Sequence, residues 1–299
     1  MLANEKNKRT GRKYPMRLIL KVVGYSSAAW YGKCNKIMDN NKKIKPGPKP
    51  LITDGELDQL TKEEAVNGIF HSQGYKKITS RLNAYGHKCD KKRVYKSLKR
   101  QNLLCMAQKP ESNGSARVHD GVIIEEFPNR MWGTDGKRFY TQEDGWCWYF
   151  SVIDHCNDEI LGWHVAKIGT RFEALEPVKQ AVKNVYGSLD KDICKGIGLF
   201  LRADHGSQYD SKDFQNERKY LGMEYSPAFV RSPECNGVIE RFHRTLQEQV
   251  FDICRFKNLA EAREHIGYFI HCYNRHWIIE RLGYMTPCQY KEKLILKIA

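Results

Sequence analysis

Phe200-Leu201-Arg202-Ala203-Asp204-His205-Gly206-Ser207 opens the stretch whose reading decides the fold, and Val238-Ile239-Glu240-Arg241-Phe242-His243-Arg244-Thr245-Leu246-Gln247-Glu248-Gln249-Val250 closes it. The first segment reads as the end of a short apolar strand, broken by the polar turn that begins at Asp204. Before the second lies a turn-rich loop, Ser232-Pro233-Glu234-Cys235-Asn236-Gly237. Val238, Phe242, Leu246 and Val250 then recur every fourth residue, which predicts a helix with one buried stripe. Glu240 is two residues from Phe242, about 200° around at roughly 100° per residue, so it is expected to point away from that stripe. A carboxylate at a strand end and another on the outward face of a later helix can converge on one cation. Such hard oxygen donors suit Mg²⁺.

Working outward, the sequence upstream has the texture of strands. Residues 131–135, 146–153 and 160–165 are three candidates, spaced closely enough for hairpins and hence an antiparallel meander. Residues 172–186 have helical spacing, with Leu175, Val178, Val182 and Val185 on one side. A strand at 198–203, a helix at 212–221, a strand at 223–225 and closing helices at 259–274 and 286–297 complete the order. The prediction is an α/β fold, a mixed sheet with flanking helices and its acids at strand ends. Trp132, Trp146, Trp148 and Trp163 fall on strand positions and read as core, not as base-stacking platforms. Asp154 stands at a strand end and reads as a turn or cap in Asp154-His155-Cys156-Asn157 in preference to a metal ligand.

Charge divides the chain. Residues 1–120 hold 26 Lys and Arg against 10 Asp and Glu, a balance of +16, while 121–299 hold 24 against 25, a balance of −1. So one-sided an excess implies a polyanionic partner, with nucleic acid the leading candidate. Residues 1–50 read as a basic helix-turn-helix-like segment, with a helix ending at Gly24 and Ser26 or Ser27 capping the next, followed by a Lys- and Pro-rich linker. Residues 51–105 read as a three-helix DNA-binding domain. Thr53 or Asp54 caps its first helix, Tyr85-Gly86 closes the second, and Asp90 caps a third that carries Lys91, Lys92, Arg93 and Lys96. A last helix of that basicity suits insertion into a major groove. A second linker at 106–126 leads to a core at 127–299. No run of about 18 apolar residues could span a bilayer, and no apolar signal-peptide core is seen. Ten dispersed cysteines without a Cys-x-x-Cys pair then read as reduced thiols in a cytoplasm, with no structural zinc site.

Thr134-Asp135, Asp204-His205-Gly206-Ser207-Gln208-Tyr209 and Asn236-Gly237-Val238-Ile239-Glu240-Arg241-Phe242 together resemble the signature of the retroviral-integrase type of transposase core. More narrowly, the chain is similar to the second-reading-frame product of bacterial insertion sequences of the IS-three group. Gly74 to Leu82, Gly86-His87-Lys88 and Lys92 to Lys96 resemble that group's DNA-binding domain. Tyr273-Asn274 and Leu282-Gly283-Tyr284-Met285-Thr286-Pro287 resemble its closing motif, although Trp277 and Ile279 stand where many members carry Arg and His. The resemblance covers roughly residues 17–292.

The resemblance implies a ribonuclease-H-like core that cleaves and joins DNA strands. Phosphodiester exchange needs an activated oxygen nucleophile and neutralised charge at phosphorus, and two divalent ions roughly 3.5–4 Å apart supply both. Asp135, Asp204 and Glu240 are the expected catalytic and metal-ligating residues for two Mg²⁺ ions, with Mn²⁺ as a substitute. Asp135 is shared, and water and then a freed 3′-hydroxyl act as nucleophiles. Arg231, His243 and Arg244 are expected DNA contacts beside the lysines of the third helix. The implied partners are double-stranded DNA (element terminal repeats and target), further copies of the chain on DNA, and the product of an upstream reading frame. The implied location is cytoplasmic, on the nucleoid when DNA is bound. The readings that compete are a non-catalytic DNA-binding regulator or decayed transposase, and a nuclease that cuts without joining.

Overall fold

The computed structural model describes residues 5–39, 50–71, 73–105, 125–204, 206–227 and 237–298, and the chain divides into two compact units, 1–51 and 52–299. In the first, helix α1 (Met16–Val22) and helix α2 (Ser27–Asp39) are joined through Gly24, whose φ of +69° is the left-handed turn that glycine adopts without steric cost. The Ser26 hydroxyl accepts from the Ala29 N–H at 3.4 Å, and the rings of Tyr25 and Trp30 meet edge to face.

The second unit begins with three helices, α3 (Asp54–Val66), α4 (Tyr75–Ala84) and α5 (Lys91–Arg100). Thr53 and Glu56 form a reciprocal capping box at the start of α3, and the Asp90 side chain accepts from the Lys92 N–H at 2.8 Å at the start of α5. Leu57, Ile78, Leu82, Val94 and Leu98 make a closed apolar centre. Around it, Arg93 pairs with Asp54 at 2.6 Å and Arg100 with Asp58 at 2.6 Å.

Five strands follow, β1 (Met131–Thr141), β2 (Gly145–Asp154), β3 (Ile160–Ala166), β4 (Phe200–Ala203) and β5 (Glu224–Pro227), in the sheet order β3-β2-β1-β4-β5. β1, β2 and β3 are antiparallel neighbours, whereas β4 runs parallel to β1 and β5 parallel to β4. This is a ribonuclease-H-like mixed sheet. A parallel β1–β4 pair requires a long crossover, and α6 (Arg171–Tyr186) supplies it. Its Thr170 cap accepts from the Glu173 N–H, and Gly187 closes it at φ +84°. Any Cβ at Gly162 on β3 would run into the Pro177 carbonyl of α6, so this glycine lets helix and sheet come into direct contact.

Both faces of the sheet are covered. Trp132, Phe150, Val152 and Leu201 pack with α6 and α7 (Lys212–Tyr220) on one side. On the other, Phe139, Tyr149 and Val165 pack against α8 (Gly237–Leu246) and α9 (Leu259–His276), with α10 (Pro287–Ile298) following. α8 runs on into a π-helical turn, Gln247–Phe251. The three helices α3–α5 are joined to this second face. Phe70 lies edge to face with Phe269 and Trp277, Gln249 bridges the His71 N–H and C=O at 2.9 and 2.7 Å, and the Arg81 guanidinium donates to the His276 carbonyl at 3.2 Å.

Two expectations change. β1 continues six residues past Asp135, because Gly136 to Thr141 pair with Phe150 to Gly145 in an unbroken antiparallel ladder. Trp146 is not core: it is 59% exposed, beside the turn that joins β1 to β2, whereas Trp132 is fully buried and Trp148 and Trp163 are half-buried.

Candidate active site

The parallel pair β1 and β4 carries the first two acids. Met131 faces Phe200, Trp132 faces Leu201 and Gly133 faces Arg202. Counting on at the same offset beyond that last pair leads to Asp135, within β1, and to Asp204, just past the end of β4. Asp135 is half-buried, with its Oδ1 accepting from the Gly136 N–H at 2.7 Å. Asp204 is exposed just past the end of β4 and accepts from the Gly206 N–H at 3.1 Å. Beneath the two lies the phenol of Tyr209, fully buried beside Thr134. Burial drives its pKa well above the ordinary value, and the negative charges of Asp135 and Asp204 add to the effect.

Glu240 comes from the first turn of α8. The buried face of this helix is Ile239, Phe242, His243 and Leu246, the i, i+3, i+4, i+7 set, so Glu240 is turned outward as expected. Val238, placed on the buried stripe by sequence, is only partly covered. The Glu240 carboxyl is raised above its usual range, first by partial loss of hydration and then by the charge of Asp135, while His243 and Arg244 pull it down. Asp135 and Asp204 both act on Tyr209, and Asp135 acts on Glu240, so the acids of β1, the end of β4 and α8 are electrostatic neighbours. Among the described residues no three His, Cys, Asp or Glu side chains close on a single point tightly enough to hold an ion as they stand. The donor set, all carboxylate oxygen, is the kind that Mg²⁺ or Mn²⁺ prefers.

His243 corrects an expectation. The four-residue apolar repeat puts it on the exposed side of α8 as a DNA contact, but it is 6% exposed. Its Nδ1 lies 3.3 Å from Asp135 Oδ2 and its Nε2 3.4 Å from Ser151 Oγ, Ser151 being the β2 residue opposite Asp135. The reason is geometric: at i+4 from Ile239 it shares the buried face. That spacing is legible in the sequence, whereas the placement of Ser151 and Tyr209 around the acids needs the strand register. Asp154 is fully buried and caps its turn, accepting from the N–H groups of Asn129 and Cys156 at 2.7 and 2.8 Å.

Of the expected DNA contacts, Lys91, Lys92 and Lys96 are exposed on α5 and Arg244 is exposed on α8. Arg93 is engaged internally, by Asp54 and by the Ile52 carbonyl at 2.7 Å, which takes it out of the free cationic face. Arg231 and the loop at 232–236 that follows it lie outside the described residues.

Residues 221–287 match the family model of the integrase core domain. Sheet order and this match fit an integrase-type core. The chain is 30% identical over 257 residues to Transposase InsD for insertion element IS2A/D/F/H/I/K of Escherichia coli, covering 82% of this chain and 81% of that one. Transposase InsD for insertion element IS2-9 of Escherichia coli strain K12 matches at the same identity, over 80% of its length. The chain therefore belongs to the transposases of bacterial insertion elements. Among solved structures it is similar to the simian T-cell lymphotropic virus intasome in complex with PP2A regulatory subunit B56 gamma (TM-score 0.47, 15% identity, 71% of this chain and 74% of that one). It is also similar to the HTLV-2 integrase catalytic core domain in complex with magnesium (TM-score 0.41, 18% identity, 55% of this chain and 97% of that one).

Proposed function

We propose that this transposase cuts and joins DNA strands at the ends of its insertion element, with Asp135, Asp204 and Glu240 as the ligands of two divalent ions, Mg²⁺ or Mn²⁺. The reading is supported by Asp135 lying in β1 and Asp204 at the end of its parallel neighbour β4, together with the influence of Asp135 on the Glu240 carboxyl. When bound, the ions would activate an oxygen nucleophile and neutralise charge on the phosphate under attack. The protein's own part is to hold the acids. β1 and the end of β4 are fixed by the sheet, and Glu240 rides on a helix whose opposite face is core. His243 packs against Asp135 and limits how that carboxylate can turn. Tyr209, kept neutral by burial, floors the site without adding charge. Water serves as nucleophile for nicking and the freed 3′-hydroxyl for joining, so no serine or tyrosine nucleophile is required.

The segment 51–105 is read as the unit that grips the terminal repeats, through Lys91, Lys92 and Lys96 on α5, and the segment 1–50 as a second basic DNA contact. Arg244, exposed one turn past Glu240 on α8, is read as a phosphate contact. Synapsis of two element ends calls for more than one copy of the chain, and the product of an upstream reading frame is a further partner. No helix among the described residues is long and apolar enough to cross a membrane, and the place of action is the nucleoid.

The test is strand transfer with purified protein, Mg²⁺ and terminal-repeat DNA. Asp204→Asn and Glu240→Gln should each lower the rate by about a thousandfold or more, the several kcal/mol expected for loss of an ion's charge stabilisation. Full activity in either variant would dispose of the assignment. A product that is nicked and never joined would point to a nuclease instead.

A further inference from the structure

We propose that the free edge of β1 carries a separate nucleotide subsite, shaped to take an unpaired base of the DNA strand that passes the three acids. The transposase reading supplies the source of this ligand, while the chemistry of the subsite stands independently of it.

The pairing of β1 with β4 ends at Gly133 and Arg202, so among the described residues the second half of β1 has no neighbouring strand on that side. There it borders a cavity of about 400 Å³, within the range of small-ligand sites. Arg138, Tyr140 and Trp146 stand on one side, Gln247, Phe251 and Arg255 on the other. Trp146 is 59% exposed and Tyr140 56%, and their rings meet at 5.7 Å as a cross-strand pair. The Arg138 guanidinium lies 5.0 Å from the centre of the Trp146 ring and 5.8 Å from that of Trp148. No acidic residue is among the described residues lining the cavity.

Two arginines in a lining that holds no acid select an anion, and two exposed aromatic rings select a flat apolar face. A nucleotide presents both at once. Stacking of bases on aromatic side chains, with arginines along the phosphates, is the general means of holding unpaired strands. In a duplex the base faces are already covered by stacking, so the fitting ligand is a frayed or extruded nucleotide. A peptide strand adding to the edge fits less well. The Gln142 and Glu143 N–H groups are already taken by the carbonyls of Phe256 and Lys257, at 3.0 and 2.9 Å, which closes the far end of the edge.

Position supports the same ligand. Arg138 is three residues from Asp135, about 10 Å along a strand. Gln247 is seven residues from Glu240, about two turns or 10 Å along a helix. A strand passing the acids reaches the cavity within a few nucleotides.

The experiment uses the full chain without divalent metal and two labelled probes read by fluorescence anisotropy. One is a blunt duplex, the other the same duplex with a short single-stranded tail. Wild type should prefer the tailed probe. Trp146→Ala should weaken tailed binding by about five- to a hundredfold, the worth of one stacked base, and leave blunt binding unchanged. Trp146→Phe should restore most of the loss, which separates stacking from any folding defect. Arg138→Ala with Arg255→Ala should lower the salt slope on the tailed probe by about two. Tailed binding by Trp146→Ala equal to wild type overturns the proposal, and so does an equal loss on both probes. A tail preference that vanishes with Trp146→Ala in a protein that never joins DNA would uphold the subsite and remove the proposed strand-joining chemistry alone.

Discussion

Asp154 and His155 are adjacent, both buried, and shifted in opposite senses. Burial raises the Asp154 carboxyl to about 6, against the two backbone N–H groups that favour its charged form. Burial lowers His155 to about 4, helped by the nearby charges of Arg202 and Arg281. Between these values the folded state takes up a proton at Asp154 and releases one at His155 relative to the unfolded chain. Asp154 therefore costs stability as pH rises through about 4 to 6, and His155 costs stability as pH falls through about 6.5 to 4. The two slopes oppose each other. Asp154→Asn should leave the histidine slope uncompensated, so that its stability relative to wild type falls by about 1.4 kcal/mol per unit as pH drops from 6 to 4. Urea unfolding across that range measures it, and a constant difference would refute it. At this scale the sequence is a partial guide. Asp204 and Glu240 can be picked out because one sits at a break and the other on a helix face that the pattern of apolar residues defines, whereas Asp135 lies inside β1 with six strand residues after it. His243 escapes that pattern because a repeat drawn through Val238 and Phe242 turns it outward, when the buried face is centred on Ile239 and His243. Trp146 escapes it because strand position says nothing of whether a helix covers that part of the sheet.

The helices are the most legible elements, since their ends carry chemistry. Thr53, Asp90, Thr170 and Gly187 each do at a terminus what their side chains, or the lack of one, dictate. β1 is half-legible. Its inner part is apolar, but Lys137, Arg138 and Tyr140 turn polar where the strand leaves the core, and only the ladder to β2 reveals them as strand. The π-helical turn after α8 has no signature that a four-residue repeat could show. α5 makes the clearest prediction among the elements. With Arg93 and Arg100 held by Asp54 and Asp58, the free cations named for DNA are Lys91, Lys92 and Lys96. Changing these three to alanine should reduce the salt slope of binding to terminal-repeat DNA by about three, close to one for each phosphate no longer neutralised. An unaltered slope would take α5 off the DNA.

Across the molecule, the basic front half and the neutral core are physically tied within the second unit. Gln249 lies in the π-helical turn that continues the Glu240 helix, and its amide satisfies both backbone groups of His71, just after α3. Gln249→Leu would leave those groups without partners, at a cost of about 1–3 kcal/mol. Its melting temperature should drop by about 2–4 °C for each of those kcal/mol in a unit of this size. A variant as stable as wild type would show the clasp to be incidental. Lys77, half-buried with its ammonium 3.3 Å over the Trp277 ring, lies at the same joint, and burial together with Arg81 lowers it to about 7. The joint has no sequence signal, because Phe70, Gln249 and Trp277 are far apart in the chain and only the closed fold makes them neighbours.

The crossover that makes β1 and β4 parallel also governs timing. A growing chain leaves the ribosome with Asp135 made, yet that aspartate's neighbour arrives only after two hairpins' worth of strand and the whole of α6, and the last acid later still. Translation that stalls anywhere before α8 yields a fragment lacking part of the proposed triad. Only a chain that has emerged past α8 can assemble all three proposed ligands, so the order of the elements in the sequence makes the site one of the last features to be completed.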